Sequence, residues 1–160
     1  MRKCSIPLLF VLSALALRPA SGQVPQLSAE QRQAILDYKL TLPVANHLIT
    51  AMDAMTKYMV ARPDFKEVLA KSMKMTPAER LAQLEADPKA SAILQQNELT
   101  AREYMTGVPA LRMALAVASG LPSSALVVSP SNLEFAKAHL AELKPKMDEA
   151  DGMRAKPQPQ

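Results

Sequence analysis

Phe135, His139 and Glu142 are spaced four and three residues apart, and Asn132 stands one turn ahead of them. Residues at these spacings share one helical face. Together they offer an aromatic anchor, an imidazole and a carboxylate one turn away that can hold it. That set is suited to recognition rather than turnover, as a face that takes a partner protein or a small ligand in a pH-sensitive way. The same residues also fit a purely structural part, with Phe135 in a satellite core and His139 bonded to Glu142 for order alone.

A second pattern is the methionine run Met52, Met55 and Met59, which recurs at helical spacing. Thioethers hold soft Cu(I), but these three continue the stripe of Val44 and Leu48, where methionine serves as flexible core filling. His47 falls on the flank of the same helix. With only His47 and His139 present, and Cys4 the sole cysteine, a zinc site would have to recruit carboxylates from separate helices. No metal or cofactor is therefore expected. Four glycines in the whole chain, at 22, 107, 120 and 152, cannot make a dinucleotide or phosphate loop. No serine sits in a nucleophile-elbow pattern, although a triad assembled in space leaves no sequence trace. Catalysis has no support in these patterns, and the question of enzyme activity stays open.

The elements that must position these residues are helices. Leu, Ala and Met dominate the apolar content, and the chain has no tryptophan and six aromatic residues, a composition of helix formers rather than of strands. The organising stretch is Thr100 to Gly120. Thr100 and Glu103 form a capping box at its start, and Gly120 followed by Pro122 closes it. Tyr104, Val108, Leu111, Leu115 and Ala118 form a bulky stripe, while Gly107, Ala110, Ala114 and Ala118 form a small one that allows another helix backbone to come close. A helix apolar nearly all round from Leu111 onward has to be covered on several sides.

Around this helix the sequence predicts a single all-α domain of about seven helices over residues 23–147. Ser28 caps a first helix over 29–40, and Thr41 with Pro43 starts a second that runs to about Ala61. Pro63 opens a short third that runs out near Lys74. Thr76-Pro77-Ala78-Glu79 caps a fourth, and Asp87-Pro88 a fifth. Pro109 predicts a bend in the central helix. Leu126-Val127-Val128 is expected to be an extended piece tucked beneath the helices. Ser131-x-x-Glu134 is expected to cap a last helix that runs to about Lys144, where Pro145 stops or kinks it, and residues 148–160 lack any apolar period, which predicts a disordered tail.

Residues 1–22 have the pattern of a secretory signal peptide, with Arg2 and Lys3, an apolar segment Ile6 to Leu17, and Ala20-Ser21-Gly22 as the cleavage site. The apolar segment is too short for the roughly 20 residues that span a bilayer. Cleavage would also remove Arg2, Lys3 and Arg18, leaving sixteen basic residues against fifteen acidic ones, a net of +1. Such a balance gives no basic surface for nucleic acid. The expected location is periplasmic or extracellular, with no stable membrane span after cleavage.

Thr100-Ala101-Arg102-Glu103-Tyr104 and Asn132-x-x-Phe135-x-x-x-His139-x-x-Glu142-Leu143, within a chain of this layout, resemble a loosely defined family of small exported bacterial helical proteins of unknown function. Leu27-Ser28-Ala29-Glu30-Gln31 is similar to the LTxxQ motif of periplasmic helical chaperones, with serine where the motif prefers threonine. Met75-Thr76-Pro77-Ala78-Glu79 is a more distant variant. The first resemblance implies no chemistry, and the lack of any catalytic constellation points to a non-catalytic binding or structural protein of the bacterial envelope. The second implies a stress-type chaperone, and the methionine stripe keeps Cu(I) handling as a further alternative.

Overall fold

Short-range capping chemistry divides residues 27–155 into seven helices. The computed structural model describes residues 27–155, so the candidate signal peptide and the last five residues lie outside it. The elements are α1 (Ala29–Asp37), α2 (Leu42–Val60), α3 (Phe65–Ser72), α4 (Pro77–Ala86), α5 (Pro88–Gln96), α6 (Ala101–Ala118) and α7 (Pro130–Ala155), with one 3-10 turn at Ser123–Ala125. The protein is all-α, with no strand among the described residues. Leu126, Val127 and Val128 are half-buried, and Val128 packs on the core, as a short irregular segment.

Full capping boxes close the starts of α1 (Ser28, Gln31), α4 (Thr76, Glu79) and α6 (Thr100, Glu103). In α6 the Glu103 carboxylate accepts from the Thr100 backbone N–H at 2.8 Å and from its hydroxyl at 2.7 Å. Those bonds, the backbone one foremost, hold its carboxyl below the ordinary range. Thr41 occupies the N-cap position of α2 in extended conformation but makes no side-chain cap bond. The start there rests on Pro43, whose missing N–H costs nothing in a first turn.

Two helices end in the same way. After α6, Gly120 has φ +104°, its N–H reaches the Val117 carbonyl and that of Leu121 reaches Ala116. This is the paired closure that satisfies the last carbonyls of a helix. After α5, Glu98 takes the corresponding place with φ +55°, while its N–H bonds to Gln95 O and that of Leu99 to Leu94 O. Leu94 and Leu99 are both buried, which supplies the apolar contact of this motif. A side chain in the left-handed region costs about 1–2 kcal/mol that glycine avoids. Glu98→Gly is therefore expected to stabilise the protein by about 1 kcal/mol once glycine's greater freedom in the unfolded chain is deducted. Chemical denaturation measures it, and a loss of stability would mean that the Glu98 carboxylate has a compensating role.

The core lies where α6 meets its neighbours. α6 packs against α1, α2, α4, α5 and α7, and α7 lies along both α6 and α2. Leu48, Met52, Leu94, Leu111 and Leu143 are fully buried between them. Gly107 differs from its expected part: a Cβ built there would lie 2.7 Å from the Tyr38 hydroxyl and 2.9 Å from Leu48 Cδ1. At this point the small stripe admits a tyrosine ring and a leucine tip rather than a helix backbone.

The last helix corrects three expectations. It starts at Pro130, not at Ser131. Ser129 Oγ accepts from the Asn132 N–H at 3.3 Å, so the cap-plus-proline device of α4 and α5 recurs here, and Ser131-x-x-Glu134 is not the cap. The helix also passes through Pro145 to Ala155, so neither the stop near Lys144 nor a disordered tail from residue 148 holds for the described residues. A proline inside a helix costs about 3 kcal/mol. Ala136, Leu143, Met147 and Ala150 continue one buried stripe across it, and beyond the proline the burial of Met147, at roughly 1.5–3 kcal/mol, together with Ala150 and the contacts to α6 and α2, offsets that cost. Beyond Pro145 an ion pair from Arg112 to Asp151 fastens α7 to α6.

Candidate functional site

Of the four residues singled out on α7, the fold takes Asn132 away from the other three. Asn132 points inward and is 3 % exposed. Its Oδ1 accepts from the Leu40 N–H at 3.0 Å and its Nδ2 donates to the Tyr38 carbonyl at 2.7 Å. The amide thus clamps the α1–α2 connection to the first turn of α7 through two backbone groups that neither α1 nor α2 engages. Assigning Asn132 to a binding face is corrected, because its side-chain oxygen and nitrogen are both already engaged inside the fold.

Phe135 and His139 do come together, with ring centroids 4.8 Å apart and planes at 42°. Phe135 is half-buried against the core, which fits the satellite-core part. Glu142 turns to Lys146, accepting at 2.9 Å, and Lys146 also donates to Asn46 Oδ1 at 2.9 Å. The Lys146 hydrogen bond, helped by the Lys146 and His139 charges, holds the Glu142 carboxyl below its usual range against a smaller opposing effect of burial. The helical spacing placed His139 and Glu142 correctly on adjacent turns. It could not show that α2 brings Asn46 across to form a three-residue bridge with Lys146.

Beside this bridge runs a shallow groove of about 300 Å³ between α2 and α7, lined by Asn46, Thr50 and Asp53 on one side and Lys146, Glu149 and Ala150 on the other. Lys57 pairs with Asp53 at 2.7 Å, so several charges on its walls are partnered with each other. His47, on the flank of α2, sits 3.7 Å from the Glu98 carboxylate, and both side chains are exposed, at 37 % and 81 %. Met52 and Met55 are buried in the core with Met59 packed against them, and the Met52 sulfur accepts from Arg112 at 3.2 Å. Their thioethers fill space, as the stripe through Val44 and Leu48 predicts.

The densest polar network joins α2 to the α4–α5 corner. Tyr58 Oη donates to Asp87 at 2.8 Å, and Arg62 donates to Tyr58 Oη at 3.0 Å and to Asp87 at 3.2 Å. Asp87 also caps α5 through the N–H groups of Lys89 and Ala90. Burial disfavours its charge, but the Ala90, Tyr58 and Lys89 hydrogen bonds and the Arg62 charge outweigh that and lower its pKa. The Asp87 hydrogen bond, aided by burial, raises that of Tyr58.

The signs fix a window. A carboxyl lowered by folding stabilises the protein above its unfolded pKa of roughly 3.9 and loses that contribution as pH falls through the folded value. A raised phenol contributes fully below its unfolded value of roughly 10 and loses the contribution as pH rises through the folded one. Asp87→Asn should therefore lower the melting temperature at neutral pH, with the difference from wild type vanishing in strong acid. A gap that persists unchanged at acid pH would assign the loss to packing instead of charge.

A different kind of surface is presented by α3. It contributes no buried residue and takes no part in the main helix–helix interfaces. Phe65, Val68, Leu69 and Met73 recur on one side of it. Phe65 and Val68 are half-covered, whereas Leu69 and Met73 are 47 % and 78 % exposed. The local sequence marks this stretch as a helix, but nothing in it tells that the rest of the bundle leaves the stripe open.

Fold and surface together define an all-α helical bundle with an outlying amphipathic helix. Compared with protein families, curated proteins and solved structures, the chain has no significant match.

Proposed function

We propose that this chain is an exported, non-catalytic binding protein of the bacterial envelope, in which the bundle around α6 is a scaffold and α3 is the contact surface. The observation that carries this reading is the open stripe of Leu69 and Met73, held at the edge of a well-tied core. Large exposed apolar side chains grouped on one element mark interaction surfaces more often than isolated ones do. The charged groups near it work within the fold. Arg62, Asp64 and Asp87 fasten the ends of α2 and α3 to the α5 cap, which holds α3 at a fixed place without covering it.

Replacing Leu69 by a photo-crosslinking amino acid in the expressing host tests the reading, with the exposed Lys57 on α2 as the control position. Adducts from position 69 in excess of those from position 57 are expected on irradiation, read as a mass shift of the protein. Equal or absent crosslinking at the two positions would remove α3 as the contact surface.

A further inference from the structure

We infer that α3 engages an anionic phospholipid surface, with Leu69 and Met73 entering the interface and Lys66, Lys71 and Lys74 contacting headgroup phosphates. The inference rests on the reading of α3 as the contact surface and names what it touches. At about 100° per residue, Phe65, Val68, Leu69 and Met73 occupy one side of the helix. Lys66 falls about 20° beyond Met73 at one edge of this stripe, and Lys71 about 60° beyond Val68 on the other side. Lys74 follows in the turn after the helix. All three lysines are exposed, and none makes an ion pair among the described residues.

The acids nearby are placed or occupied differently. Glu67 projects opposite the stripe, Asp64 is bound by Arg62 through two contacts of 2.9 Å, and Glu79 is engaged by Thr76 in the α4 cap. What remains is an apolar strip bordered on both edges by unpaired ammonium groups. Lysine stems can lie along the strip while their heads stay in the headgroup layer. An amphipathic helix with this arrangement lies in the membrane plane, and its binding combines buried apolar area with attraction to anionic lipid. A protein groove of ordinary composition would match the strip but give the lysines on both edges no charge to meet. No helix among the described residues is long and apolar enough to cross a membrane, so the contact is peripheral.

The test reads the contact at one residue. In the full chain with its sole cysteine removed by Cys4→Ser, an environment-sensitive dye is attached at Met73→Cys or, on the opposite side, at Glu67→Cys. Vesicles of phosphatidylcholine with phosphatidylglycerol should shift the dye at position 73 to the blue and leave the dye at 67 unchanged, whereas phosphatidylcholine alone should shift neither. Adding Lys66→Glu, Lys71→Glu and Lys74→Glu should weaken the response at 73 at least tenfold, since each basic residue near an anionic surface contributes about 1 kcal/mol. Circular dichroism establishes that the triple variant keeps its helices.

An unshifted dye at 73, or equal shifts at 67 and 73, overturns the lipid contact. A shift at 73 that follows protein concentration without vesicles also overturns it, in favour of a second copy as occupant. The two readings fail separately. Silence toward vesicles together with crosslinking of protein from position 69 ends the lipid inference and retains the binding surface, whereas silence in both experiments ends both.

Discussion

Asn132→Ala is expected to lower the unfolding free energy by about 1–3 kcal/mol, because it strips the partner from a backbone N–H that the fold has removed from water and from a half-buried carbonyl. The Leu40 N–H, in a residue only 5 % exposed, loses its acceptor, and the Tyr38 carbonyl loses its donor. Neither group has a helical replacement, since α1 stops at Asp37 and α2 begins at Leu42. Asn132→Asp separates the two contributions: its carboxylate still accepts from Leu40 but repels the Tyr38 carbonyl, so it should also destabilise. Urea denaturation of the three proteins compares them directly. A change of less than about 0.5 kcal/mol in Asn132→Ala, the range of ordinary surface substitutions, would show that the α1–α2 connection is held by its apolar contacts and not by this amide.

Gly107→Ala should be nearly as damaging, against the direction that helix propensity alone predicts. In an exposed helix interior the change would stabilise by roughly 0.5–1 kcal/mol. Here the new methyl would meet Tyr38 Oη at 2.7 Å, Tyr38 Cζ at 2.8 Å and Leu48 Cδ1 at 2.9 Å. Leu48 is fully buried, so its tip has packed neighbours on every side, and the carbonyl of Tyr38 is held by Asn132. Overpacking of this kind costs about 1–3 kcal/mol, so a net loss of about 1–2 kcal/mol is expected in thermal or chemical melts. Tyr38→Ala removes most of the obstruction. In that background Gly107→Ala should cost clearly less than in the wild type, a coupling that a double-mutant cycle isolates. Equal costs in both backgrounds would mean that Leu48, and not Tyr38, sets the limit at Gly107.

The two sites share a logic. Gly107 admits the Tyr38 ring, and Asn132 holds the Tyr38 carbonyl and the Leu40 N–H, so a connection of four residues is fixed by side chains far along the chain. Neither contact leaves a trace in the sequence around residues 38–41. A glycine in a helical pattern signals close approach without saying of what, and an asparagine in a first helical turn passes for a cap residue.

What the sequence determined by itself is the set of features that arise within a turn or two of chain. Thr76, Asp87 and Thr100 start their helices because each side-chain oxygen reaches a backbone N–H two or three residues ahead. Gly120 ends α6 because it alone there takes positive φ without a steric penalty. The burial of Leu111 and Leu115 followed from a 3.6-residue period, as did the all-α class. The tertiary structure decided what depends on distant partners. α7 passes Pro145 because α2 and α6 cover Met147 and Ala150, a gain absent from the local chain. Asn132 became a clamp because folding brings a connection 92 residues away to its amide. The α3 stripe stays open for the corresponding reason. Its sequence pattern is that of a packed helix, and only the arrangement of the other six leaves Leu69 and Met73 uncovered, since an apolar face is buried by its neighbours and not by its own period.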